Sequence, residues 1–143
     1  MPAQPSSTIP TGFEKMHELP HGDVVCALTI ANDSKLVYTG GKGNVKAWDL
    51  SPECEEPMRA IREYDCLGEG NNYVRACKLF NNGSHLVVAG EASSIVVYDV
   101  EQGRKTLELA GCGSCYYDLA IVGKQLYACG ADGNVVVWDL GVA

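Results

Sequence analysis

Three segments of this 143-residue chain end alike: Val45-Lys46-Ala47-Trp48-Asp49-Leu50, Ile95-Val96-Val97-Tyr98-Asp99-Val100 and Val135-Val136-Val137-Trp138-Asp139-Leu140. Trp48, Tyr98 and Trp138 stand 50 and then 40 residues apart. Self-similarity at such a period marks a chain that repeats one supersecondary unit. The likeness runs backwards from each aromatic–Asp pair. Thr39-Gly40-Gly41-Lys42-Gly43-Asn44, Ala89-Gly90-Glu91-Ala92-Ser93-Ser94 and Cys129-Gly130-Ala131-Asp132-Gly133-Asn134 fall in register. Each joins two apolar runs through a turn rich in Gly or Ser, as a hairpin requires.

Further strand-sized runs precede these turns. Lys35-Leu36-Val37-Tyr38, His85-Leu86-Val87-Val88 and Gln125-Leu126-Tyr127-Ala128 come directly before them, with Val24 to Ile30, Tyr73 to Phe80 and Tyr116 to Ile121 earlier still. Met58 to Tyr64 and Arg104 to Leu109 alternate apolar with polar, as an outer strand with one wet face should. Phe13 to Leu19 is the candidate for that strand ahead of the first repeat. No segment has helical periodicity after a helix cap. The fold class is all-β, a WD-repeat β-propeller of three four-stranded blades. A Pro/Ser-rich, disordered lead-in is expected over residues 1–12 and a partial propeller over 13–143, with blades at about 13–50, 58–100 and 104–140.

Composition narrows the function. A formal charge of −7, with no cluster of Lys or Arg, argues against direct nucleic-acid binding, which needs a basic face. No apolar run reaches the roughly 18 residues of a membrane span. Met1-Pro2-Ala3-Gln4-Pro5 lacks the start of a signal peptide, and the seven cysteines are odd in number. A reduced intracellular compartment is therefore expected. Cys26, Cys77 and Cys129 fall in apolar runs and read as small buried hydrophobes.

The Trp-Asp pairs read as architecture. A buried indole N–H needs an acceptor, since leaving it unpaired costs about 1–3 kcal/mol. WD repeats supply one through a chain of Trp, Ser/Thr, His and Asp. The first repeat offers His21, Thr39, Trp48 and Asp49, with Lys42 where the turn Asp would stand. The second has Tyr98 and Asp99 with Ala92 at its turn. The third has Asp132, Trp138 and Asp139, with Cys129 in place of the hydroxyl residue. On this reading no repeat carries the whole chain.

His21-Gly22-Asp23-Val24-Val25-Cys26-Ala27, Val37-Tyr38-Thr39-Gly40-Gly41-Lys42-Gly43 and the following Val45-Lys46 with Trp48-Asp49 resemble the first propeller blade of the Groucho/TLE corepressor family. Asn72-Tyr73-Val74-Arg75, Cys77-Lys78-Leu79 and Gly90-Glu91-Ala92-Ser93 resemble the second blade, and Cys115-Tyr116, Leu119-Ala120-Ile121 and Asp132-Gly133-Asn134 the third. The likeness covers roughly residues 19–140. It implies three blades of an expected seven, in a nuclear, non-enzymatic corepressor that does not itself bind DNA. It also implies recruitment by transcription factors carrying a Trp-Arg-Pro-Trp or engrailed-homology peptide, docked over the central pore.

The positions matching the family's peptide site are Val24, Cys26, Tyr73, Arg75 and Glu91. Tyr73 and Val24 offer apolar contact, while Arg75 and Glu91 can orient each other or polar parts of a peptide. Each has a plainer reading. Val24 and Cys26 alternate along a strand and also suit pore-lining packing. Glu91 also suits the satisfaction of turn amides. Tyr73 and Arg75, two residues apart, share a strand face.

Catalysis has no anchor here. His21 reads as structural, His17 and His85 stand apart, and no nucleophile elbow, phosphate loop or zinc-protease motif occurs. Cys112-Gly113-Ser114-Cys115 bridges two strands where a redox motif would want a helix N-terminus, and Cys54 and Cys66 have the wrong spacing to complete a zinc site. No cofactor, metal or membrane partner is implied. Two other readings stand beside the corepressor segment: a WD scaffold of another pathway, and a truncated, non-functional fragment. Three blades also leave open sheet edges and faces, which further blades or self-association would cover.

Overall fold

A computed structural model describes residues 10–33, 35–51, 58–67, 72–110 and 115–141. Most of the lead-in expected at 1–12 lies outside the described residues, as do Cys54 and Cys112. Eleven strands are present among the described residues: β1 (Ala27–Ile30), β2 (Leu36–Gly40), β3 (Asn44–Asp49), β4 (Arg62–Asp65), β5 (Val74–Phe80), β6 (His85–Gly90), β7 (Ser94–Asp99), β8 (Arg104–Ala110), β9 (Tyr116–Val122), β10 (Gln125–Gly130) and β11 (Val135–Asp139). They form three antiparallel meanders, β1-β2-β3-β4, β5-β6-β7-β8 and β9-β10-β11. The architecture is that of three WD-propeller blades, with no helix among the described residues.

The sheets are offset from the sequence repeats by one strand. β4 pairs with β3, Val45 opposite Tyr64, and β8 pairs with β7, Ile95 opposite Leu109. Each outer strand therefore closes the sheet before it. Phe13 to Leu19 forms no strand, which corrects the expectation for that segment, and Phe13 is 100% exposed. With no neighbouring strand to supply its hydrogen bonds, an apolar pattern alone does not hold a segment extended.

Period-two alternation decides which neighbour each face meets. Tyr38, Val45, Ala47 and Tyr64 of the first sheet pack on Val74, Cys77, Leu86, Val88, Val96 and Tyr98 of the second. The Tyr64 and Tyr98 rings meet edge to face at 5.1 Å. The opposite face of the second sheet, with Ala76, Val87, Ala89, Ile95 and Val97, packs on Tyr116, Leu119, Leu126, Ala128 and Trp138 of the third. Each fully buried Val, Leu or Ile contributes about 1.5–3 kcal/mol, so these two interfaces dominate the stability. The far face of the first sheet is covered locally: Leu19, Leu50, Met58 and Ala60 gather round Val37 and Trp48.

Face-to-face stacking sets the inner strands β1, β5 and β9 side by side. The β2–β3 turn fastens the first junction, where the Val74 amide donates to the Gly41 carbonyl (2.8 Å) and Lys42 bridges to Tyr73. At the outer edge Arg62 Nη1 donates to the Val100 carbonyl (2.8 Å).

Gly90 and Gly130 end β6 and β10 where the inner strand crosses closest. A Cβ at Gly90 would overlap the Tyr73 carbonyl oxygen, and one at Gly130 would overlap that of Cys115. Gly90→Ala is therefore expected to lower the unfolding free energy by about 1–3 kcal/mol, measured by urea denaturation. An unchanged midpoint would mean that β5 and β6 do not approach as described.

Candidate functional site

Glu91 follows the last residue of β6 and turns its carboxylate back over the inner strand. Its Oε1 accepts the Tyr73 amide at 2.9 Å, and its Oε2 accepts from Arg75 Nε at 3.1 Å and Nη2 at 2.5 Å. Its own amide donates to the Tyr73 carbonyl at 3.0 Å. The Arg75 guanidinium, followed by the Tyr73 amide, holds the Glu91 carboxyl below its ordinary range. The Glu91 carboxylate in turn pushes Arg75 further up. Tyr73, Arg75 and Glu91 thus form one unit, tied by Tyr73 to the Lys42 turn of the neighbouring sheet.

Arg75 owes its direction to a β-bulge. Val74 pairs with Gly90 and Ala76 with Ala89, so Arg75 is an extra residue on the inner strand. A bulge bends the strand and re-aims the side chain it carries. Arg75 is exposed between two buried neighbours, Val74 and Ala76. Beside it a cleft of about 150 Å³ crosses the three inner strands, lined by Cys26, Ala27 and Leu28, by Arg75 to Lys78, and by Asp118. The Arg75 charge is near enough to interact with the thiols of both Cys26 and Cys115.

The five residues expected at a peptide site are therefore only partly united. Tyr73, Arg75 and Glu91 are bonded together, and Cys26 lines the cleft with Arg75. Val24, 61% exposed, lies on the approach to β1, its carbonyl close against Gly41. It makes no side-chain bond to the other four.

The structural residues divide into two systems. In the first sheet Trp48 Nε1 donates to Thr39 Oγ1 (2.8 Å), Thr39 Oγ1 lies 2.7 Å from His21 Nδ1, and His21 Nε2 lies 3.1 Å from Asn44 Oδ1. One donor order satisfies all three contacts: indole to hydroxyl, hydroxyl to Nδ1, and Nε2–H to the Asn44 carbonyl oxygen. Asn44 takes the place expected of a turn Asp, so this repeat carries a complete chain after all. The position expected for that acceptor, Lys42, lies two residues before it. The second and third sheets have no hydroxyl at the Thr39 position. There the Tyr98 hydroxyl donates to the Asp65 carbonyl (3.2 Å), and the Trp138 ring packs on Tyr116 at 6.3 Å.

The aspartates serve turns. Asp49, Asp99 and Asp139 accept the amides of Ser51, Gln102 and Gly141 (2.8, 2.9 and 2.8 Å), and Asp132 accepts that of Asn134 (3.1 Å). Among the cysteines, Cys77 is buried, whereas Cys26 and Cys129 are exposed, against the expectation for those two. Burial pushes the Cys66 and Cys77 thiols up to about 12, which keeps both protonated at neutral pH. No cluster of metal-ligating side chains occurs among the described residues.

Residues 13–49 match the family model described as WD domain, G-beta repeat. Over 96% of its length the chain is 45% identical to Transcription factor unc-37 of Caenorhabditis elegans, covering 23% of that protein. Over 92% of its length it is 42% identical to Transducin-like enhancer protein 2 of Mus musculus and 43% identical to Protein groucho of Drosophila melanogaster, covering 17% and 18% of them. The chain thus spans 17–23% of the length of these relatives.

Burial, reinforced by the nearby Lys46 charge, lowers the His21 pKa from 6.5, against weaker raising effects of Asn44, Asp23 and Glu63. The unfolded chain therefore takes up a proton below pH 6.5 that the folded chain resists. The stability due to neutral His21 is present above that pH and is lost as pH falls below it. Between about pH 7.5 and about pH 5.5 the urea midpoint is expected to fall. His21→Asn should cost about 1–3 kcal/mol at the upper pH and flatten the dependence. An equally steep dependence in the variant would show that His21 is not its source.

Proposed function

Since the chain belongs to the Groucho/TLE family of corepressors, we propose that its three blades are a peptide-recognition segment of a transcriptional corepressor. Its partners are transcription factors, engaged in the nucleus through short Trp-Arg-Pro-Trp or engrailed-homology peptides. The observation that carries this reading is the Tyr73–Arg75–Glu91 unit, with Arg75 bulged out between the buried Val74 and Ala76 beside a cleft that crosses all three blades. A packing role would leave Arg75 with no reason to stand on a bulge. Val24 and Cys26 add small apolar surface on the approach to the neighbouring inner strand.

The chemistry is that of binding. Glu91 neutralises Arg75, so the pair presents donors and acceptors in fixed directions without a net charge to attract phosphate. The formal charge of −7 likewise suits a protein partner better than DNA. The exposed outer face of the third sheet, with Tyr127, Val135 and Val137, is where a further blade or a second copy would pack.

Titration calorimetry of the chain with a Trp-Arg-Pro-Trp peptide tests the assignment. Arg75→Ala is expected to weaken binding about thirtyfold, as loss of a central anchor does, with little change in the thermal midpoint. Binding that is absent in the unmodified chain, or indifferent to Arg75→Ala, would overturn it.

A further inference from the structure

The third inner strand repeats the backbone device that presents Arg75. Gly130 pairs with Tyr116 and Cys129 with Asp118, which leaves Tyr117 as the extra residue on β9. Two backbone contacts around each bulge correspond. Glu91 donates its amide to the Tyr73 carbonyl at 3.0 Å, and Ala131 donates to the Cys115 carbonyl at 3.1 Å. Gly90 abuts the first of those carbonyls and Gly130 the second. Two residues beyond Tyr73 stands Arg75, and two beyond Cys115 stands Tyr117. The two sheets are neighbours, and their inner strands β5 and β9 pack against each other.

Tyr117 is 53% exposed, whereas Tyr116 beside it is 2% exposed and packs on Trp138. Core packing thus accounts for one tyrosine of the pair and not the other. The Tyr117 side chain makes no hydrogen bond or ring contact among the described residues, so its ring face is open. Arg75 is already satisfied by Glu91, and an open ring on the inner strand packed against that of the neutralised pair selects for flat apolar groups rather than anions.

We infer that Tyr117 is a specificity-determining residue of the peptide site, supplying the ring on which an aromatic or prolyl side chain of the bound peptide rests. The inference builds on the peptide-site reading above and extends that site onto the third blade. The plain alternative is a solvated surface tyrosine.

A double-mutant cycle separates the two, using the full chain, the Trp-Arg-Pro-Trp peptide, and peptides with either Trp replaced by Ala. Tyr117→Ala is expected to weaken the parent peptide about tenfold, and Tyr117→Phe to bind within about twofold of the unmodified chain. In Tyr117→Ala the penalty for replacing one peptide Trp should shrink by a similar factor, a coupling that a merely structural role would not produce. If Tyr117→Ala binds as tightly as the unmodified chain while Arg75→Ala does not, the inference fails and the site stands. If the unmodified chain binds no peptide, the site itself is refuted and the inference falls with it.

Discussion

A β-sheet apolar on both faces must be covered on both, and that requirement organises this molecule. The second sheet shows it most fully. Leu86 and Val88 point to one neighbour, Val87 and Ala89 to the other, and all four are completely buried. At about 1.5–3 kcal/mol for each large side chain, the two interfaces outweigh any single polar contact, which nets about 0.5–1.5 kcal/mol. Stacking three meanders by these faces leaves only one place for the inner strands, side by side. The juxtaposition of Cys26, Arg75 and Asp118 along one cleft is a consequence of packing elsewhere.

Polar groups then adjust to the packing. Only the first sheet buries an indole N–H against a hydroxyl, and only there does a histidine bring the chain to an amide acceptor, Asn44. In the second sheet a phenol replaces the indole and reaches a backbone carbonyl across the interface, so neither a hydroxyl nor a histidine is needed. The aspartates that make the repeat visible in the sequence work locally, each accepting an amide of the turn that follows it.

The strands and their register were legible because period-two alternation and Gly-rich turns are local signals. The partner of an outer strand is not local. Met58 to Tyr64 reads as an outer strand from its pattern, but only the fold says that it pairs backwards with β3 rather than forwards. The same limit applies to Phe13 to Leu19, whose pattern suits a strand but which pairs with no strand among the described residues. Asn44 was missed because the pattern position is occupied by Lys42, while the side chain that reaches His21 lies two residues on. At the candidate site, spacing alone could place Tyr73 and Arg75 on one strand. The bulge that carries Arg75, and its counterpart at Tyr117, is one unpaired residue with no sequence signature. The exposure of Cys26 and Cys129 was likewise hidden, since both sit in apolar runs and their sheet faces are set by tertiary stacking.

The proposal that matters most is that the face where the inner strands meet is a peptide-binding surface. Amide chemical-shift mapping of the isotope-labelled chain during titration with the Trp-Arg-Pro-Trp peptide tests it most directly. Shifts concentrated on the amides of Val24 to Cys26, Tyr73 to Arg75 and Glu91, with β4 and β8 unmoved, are the expected result. Shifts confined to the outer strands or to the exposed face of the third sheet would contradict it, as would no shift at saturating peptide.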